Sequence, residues 1–194
     1  MVAIIVILVA GAALVAGFYL QQRRRRELRE QFGGEYDRIV DSKDSRRDAE
    51  RELTARRKRH DQLDIRPLDP GRIAEYRDGW HAAQLRFVDE PAEALEEADT
   101  LVEAVMSELG YPVGDFDVQL ADLSVEHADV LQHYRAAHAI TTSVHVGDAE
   151  TEAMRRAMVH YRTLFADLLD EGDEQRPDDA SDGDQARPTR RSAR

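Results

Sequence analysis

The stretch "PAEALEEADTLVEAVMSELGYP", residues 91–112, decides the fold class. Leu95, Ala98, Val102, Val105, Met106 and Leu109 recur at three- and four-residue steps, the period of one helix face and not the two-residue alternation of a strand. Pro91 suits a first helical position because it has no N–H to leave unmet. Gly110 can take the left-handed conformation that closes a helix, and Pro112 bars continuation. The stretch therefore predicts an amphipathic helix whose apolar stripe needs a cover.

Its neighbours supply that cover. Upstream, Asp69 is placed as an N-cap with Pro70 behind it, and Ile73, Tyr76, Trp80, Ala83 and Phe87 share one face until "VDEP". Downstream, "YPVGDFDVQLADL" holds a short helical piece. Ser124 is then expected to cap a longer helix carrying Val130, Leu131, Tyr134, Ala137 and Ile140. After the connector "VHVGDAET", Met154, Met158, Tyr161, Phe165, Leu168 and Leu169 form a last stripe. No period-two run bounded by turns occurs, so the fold class is all-α, with an antiparallel bundle of about four amphipathic helices over 67–171. From 172 to 194 the chain is too polar to bury a core and is expected to be a disordered tail.

Before the bundle lies a basic juxtamembrane segment, 23–66. Ser45 with Asp48 three residues on begins "RRDAERELTARRKRHDQL", whose thin stripe of Ala49, Leu53, the stems of Arg56 and His60, and Leu63 reads as a charged stalk helix or one strand of a loose coiled coil. The pair Gly33-Gly34 is expected to interrupt the helix before it.

Residues 1–22 read as a signal-anchor. Val2 to Leu20 carry no charge and would span ~29 Å as a helix, close to a bilayer's hydrocarbon thickness. Arg23, Arg24, Arg25, Arg26 and Arg29 follow the run with no basic counterpart before it. By the positive-inside rule the expectation is a single-pass cell-membrane protein with its N-terminus outside and the soluble domain cytoplasmic. Arg23, Arg24, Arg25 and Arg26 are candidate contacts for anionic lipid. Small residues within the run could let two copies approach, making a homo-oligomer a candidate state.

The net charge of −12 conceals a division. Residues 21–66 hold 15 basic and 11 acidic side chains, residues 67–171 hold 7 and 22, and the remainder 5 and 6. An acidic distal domain is repelled by phosphate backbones, which argues against nucleic acid as a partner. The absence of cysteine removes disulfides, thiolate catalysis and cysteine zinc sites.

Histidine is the enriched chemical candidate, at 127, 133, 138, 145 and 160. His133 and His138 stand about 140° apart around a helix, and His127 and His138 ~16 Å apart along one, so a metal would need ligands from different helices. The glycines make no phosphate-cradling loop and the serines no nucleophile elbow. No catalytic, cofactor-binding or metal residue is assigned, and no cofactor is expected. Tyr76, Trp80, Tyr134 and Tyr161 fall at helical spacing, which suits a core first and a partner groove second. Tyr134 and Tyr161, with His138 one turn from Tyr134, are the candidate groove residues.

The segments "RRELREQFGGEYDRIV", "RDAERELTARRKRHDQLDIRPL", "YRDGWHAAQLRFVDEPAEALEEADTLVEAVMSELGYPVGDFDVQLADLSVEHADVLQHYRAAHAI" and "MRRAMVHYRTLFADLL" together resemble a family of small single-pass, membrane-anchored helical proteins of actinobacterial type. The resemblance implies an anchored helical protein and no activity, so it brings no functional residue. The resulting expectation is a membrane-tethered cytosolic adaptor or scaffold, without catalysis, for an unknown protein partner. Two rivals are an exported helical domain left by signal cleavage, and a metal- or histidine-dependent enzyme with its site between helices. The latter requires at least three of His127, His133, His138, His160 and neighbouring carboxylates to converge.

Overall fold

A computed structural model describes residues 2–145 and 150–174, and of 2–10, 13, 145 and 171–174 the backbone only. Seven helices and no strand occur among the described residues: α1 (Val2–Ser42), α2 (Arg46–His60), α3 (Pro70–Arg86), α4 (Pro91–Leu109), α5 (Phe116–Leu123), α6 (Leu131–His145) and α7 (Thr151–Glu174). The tail expected beyond α7 and the centre of the connector before it lie outside the described residues.

The helix boundaries follow local chemistry. Asp69 accepts from the Gly71 N–H at 2.8 Å and Pro70 opens α3. Gly110 ends α4 at φ 105°, and the Tyr111 N–H reaches back to the Met106 carbonyl at 2.9 Å. Gly110 is also where the chain crosses itself. A Cβ there would stand 2.3 Å from the Asp64 carbonyl oxygen, and the Arg66 N–H donates to the Leu109 carbonyl at 3.0 Å. The end of α4 thus anchors the segment that enters the bundle.

Helices α3, α4, α6 and α7 enclose one core. Trp80, Leu95, Val102, Met106, Leu109, Leu131, Tyr134, Met158, Tyr161, Leu164, Phe165 and Leu168 all contribute to it. Helix α4 lies along α7, α6 pairs with α7, and α3 rests mainly on α4 and only lightly on α7. That light contact leaves the groove described below.

Ser124 departs from expectation. It follows the C-terminus of α5, its N–H donating to the Leu120 carbonyl at 3.0 Å and its hydroxyl to the Ala121 carbonyl at 2.6 Å. The next helix starts only at Leu131. Asp115 caps the shorter helix by accepting from the Val118 N–H, so the chain has to turn through 124–130. Ser124 is fully buried, with its hydroxyl 3.4 Å from Arg56 Nη1.

The basic segment is not a solvated stalk. Leu28 and Phe32 before Gly33, Tyr36 and Ile39 after it, Ala49 and Leu53 of α2, and Val125 form a second core. Gly33 holds φ 46°, ψ −127°, a conformation that kinks α1 so both flanks face the same cluster. Glu35, only 1% exposed, fastens this hairpin to the bundle: Arg56 Nη1 lies 3.3 Å and Arg135 Nη2 2.7 Å from its Oε1. Arg59 on α2 adds a bond of 2.7 Å to the buried Asp122 on α5.

Among the described residues no helix is long and apolar enough to cross a membrane. Half of the expected span, residues 2–10 together with 13, falls on side chains outside those described. The described remainder projects bare from the fold: Leu14, Val15, Phe18, Tyr19 and Leu20 are all exposed. The anchor therefore rests on sequence alone.

Candidate functional site: a groove between α3 and α7

Where α3 leans away from α7, two adjoining hollows open. One, of about 330 Å³, is bordered by Arg77, Trp80, His81, Gln84, Arg162, Phe165, Ala166, Leu169 and Asp170. The other, of about 160 Å³, is bordered by Gln84, Phe87, Arg155, Met158, Val159 and Arg162. Gln84 and Arg162 belong to both, so the hollows form one groove. Trp80 and Phe165 stack at 4.8 Å between centroids, joining the core to the groove lining. The groove has an apolar floor because Trp80, Phe87, Met158, Phe165 and Leu169 continue the core stripes of α3 and α7 outward, and polar side chains rim it.

Its charge is opposite to that of its surroundings. The bundle's seven arginines, at 72, 77, 86, 135, 155, 156 and 162, face 22 acidic residues in the same segment. Arg72 grips Glu108 at 2.9 Å, and with Tyr76 it holds that carboxyl below its usual range. Arg86 lies 3.5 Å from Glu97, and Arg135 binds Glu35. Three of the remainder line the groove: Arg155, which pairs with Glu152 at 2.6 Å, and Arg77 and Arg162. No carboxylate among the described residues pairs with Arg77 or Arg162. Trp80 is 6% exposed and its indole N–H is buried without an acceptor, an unmet donor at the lining.

The residues expected to line a groove sit elsewhere. Tyr134 and Tyr161, 1% and 0% exposed, are interior. The Tyr134 hydroxyl donates to Gln119 Oε1 at 2.8 Å, and Tyr161 shares a hydrogen bond of 3.0 Å with the Thr141 hydroxyl. Burial pushes both phenols far above their usual range, and the Asp99 carboxylate adds to the shift. Because each polar tip has a partner inside, both rings can belong to the core. His138 is half-buried and stacks on Phe116 with centroids 3.7 Å apart. Of the aromatic residues weighed for a groove, Trp80 does line one. The arginines beside it were the missed signal: seven cations in so acidic a segment needed their helix faces compared.

Two histidine pairs form between α7 and the chain before it. His133 Nδ1 lies 2.9 Å from His160 Nδ1, and His127 Nδ1 lies 2.5 Å from Asp167 Oδ2. Burial, then the His133 and Arg156 charges, lowers the His160 pKa. Among the described residues no group of three or more such side chains is arranged to hold a metal ion. The three-ligand convergence that a metal site between helices requires is therefore missing from them.

Arg23, Arg24 and Arg26 are exposed, whereas Arg25 is half-buried with its Nε 2.9 Å from Glu50 Oε1. Comparison with protein families, curated proteins and solved structures finds no match. None of the three therefore supports the resemblance to an anchored helical family.

Proposed function

We propose that this protein is a membrane-tethered helical interaction module, without catalytic activity, whose α3–α7 groove receives an amphipathic helix with acidic flanks from a protein partner. The observation that carries the reading is the position of Arg77 and Arg162, uncompensated beside the apolar Trp80–Phe165 lining of an acidic bundle. An apolar stripe on the guest would cover the floor, and carboxylates on either side would meet the guanidinium groups. From Arg155 to Asp170 the host helix rises about 22 Å, room for some four turns of guest helix. So short a contact suits a reversible encounter more than a permanent complex.

The tether is the uncharged run before Leu20, and the arginines after it favour a cytoplasmic bundle. An acidic bundle is pushed away from anionic lipid, which leaves the groove free to meet its partner.

Calorimetric titration of the full chain in neutral detergent tests the groove. The probe is a helical peptide with leucines at three- and four-residue steps and glutamates on both flanks; the control carries lysines instead. The acidic peptide should bind and the control should not. Reversing Arg77 and Arg162 to Glu should weaken binding at least about tenfold, or 1.4 kcal/mol. Equal binding of both peptides, or of neither, would remove the proposal.

A further inference from the structure

On α1 and α2, which contribute nothing to the groove lining, the kinked hairpin gathers arginines from two helices around a hollow of about 500 Å³. Arg24 comes from α1, Arg47 and Arg51 from α2, and Leu20, Gln21 and Glu50 share the lining. The only carboxylate of that lining is already engaged: Glu50 Oε1 lies 2.9 Å from Arg25 Nε and accepts from the Tyr36 hydroxyl at 3.3 Å. Arg51 has an exposed ion pair of 3.0 Å with Asp48, a weak competitor. No carboxylate among the described residues pairs with Arg24 or Arg47. Beyond Gln21, a second hollow of about 400 Å³ adds Arg25, Arg26, Arg29 and Arg46, with Asp37 as its acid.

Seven guanidinium groups therefore surround two hollows, and three of them are paired, Arg25 with Glu50, Arg29 with Asp37 and Arg51 with Asp48, a local excess of four positive charges (7 − 3). Like charges so placed repel one another until an anion enters. Guanidinium groups favour oxyanions with several acceptor oxygens, which they hold through paired N–H bonds. Arg47 lies in the first turn of α2, beside the Ser45 cap and the Asp48 carboxylate. Leu20 and Phe18 in the linings put an exposed apolar shelf beside the cations.

We infer that Arg24, Arg47 and Arg51 form a binding site for a phosphate ester, closed on one side by α2 and bordered by the apolar end of α1. The ligand chemistry is a phosphate oxyanion, supplied by a lipid headgroup or by a small phosphate in solution. The site depends neither on the α3–α7 groove nor on whether α1 spans a bilayer. It extends the sequence expectation, which had only the first helix's arginines, by the contribution of α2.

The test uses the full chain in neutral detergent, titrated separately with inorganic phosphate, dihexanoyl phosphatidylglycerol and the zwitterionic dihexanoyl phosphatidylcholine. Calorimetry gives affinity, and arginine Nε–H NMR signals report which guanidinium groups respond. Saturable binding of phosphate or phosphatidylglycerol, with Arg24, Arg47 and Arg51 shifting, is the expected result. Arg47→Gln or Arg51→Gln, both at exposed positions that leave the hairpin core intact, should weaken it about tenfold, or 1.4 kcal/mol. Arg23→Gln should leave it unchanged, because Arg23 pairs with Glu27 at 2.9 Å and does not line the hollow. Phosphate binding as tightly as the lipid would assign the site to a soluble ligand, and lipid binding alone to a headgroup; both uphold the site. Absence of saturable binding, equal binding of the zwitterion, or equal losses from Arg23→Gln and Arg47→Gln would overturn it.

Discussion

Glu35 Oε1 accepts a hydrogen bond of 2.7 Å from Arg135 Nη2, joining α1 to α6 across a hundred residues of chain. Arg56 from α2 approaches the same oxygen at 3.3 Å, so one buried carboxylate ties the hairpin to the bundle. Glu35→Ala leaves the half-buried Arg135 without its carboxylate, while Arg56 keeps only its pair of 2.6 Å with Glu52. The expected loss of stability is about 3 to 5 kcal/mol, measured by urea unfolding. In hydrogen exchange, α1 and α2 amides should lose protection before those of α3, α4 and α7.

Gly110→Ala should also destabilise, by at least about 2 kcal/mol in the same assay. The residue holds φ 105°, and the new Cβ would strike the Asp64 carbonyl at 2.3 Å. Relief would require the chain entering the bundle to move off the end of α4. Gly114→Ala is the control, since it shares the positive φ but meets nothing within 4 Å.

His160 gives the fold a pH dependence. Burial, with His133 and Arg156, holds its pKa below the ordinary 6.5, so the unfolded chain takes up this proton more readily than the folded one. The contribution is fully present above pH 6.5 and is lost as pH falls below it. Melting temperature should decline between pH 7 and pH 5, and His160→Gln should make that decline shallower.

The bundle was legible because its stripes are continuous. Val102, Met106 and Leu109 recur on one helix with terminators on either side, and each stripe found a neighbour. The hairpin core was less visible. Leu28 and Phe32 are separated from Tyr36 and Ile39 by the Gly33 kink, which breaks the period that would have revealed one face. The groove was not legible: aromatic spacing grouped Trp80 with Tyr76, Tyr134 and Tyr161 as core first, and the residues chosen for a groove were Tyr134, His138 and Tyr161 rather than Trp80. Which ring a neighbouring helix covers depends on how α3 tilts, a tertiary property absent from any single period.

Topology has its own test. With the tether proposed above, protease added to intact protoplasts should leave residues beyond Leu20 undigested, and digest them once the membrane is opened. Digestion of intact cells would place the bundle outside and remove the cytoplasmic assignment.

Trp80 is the chain's single tryptophan and lines the groove, so its fluorescence reads occupancy directly. Titration with the glutamate-flanked helical peptide should produce a saturable shift in emission that disappears in the Arg77→Glu, Arg162→Glu variant. Emission unchanged at peptide saturation of the protein, or shifted equally by the lysine-flanked control, would contradict a groove built for an acidic helix.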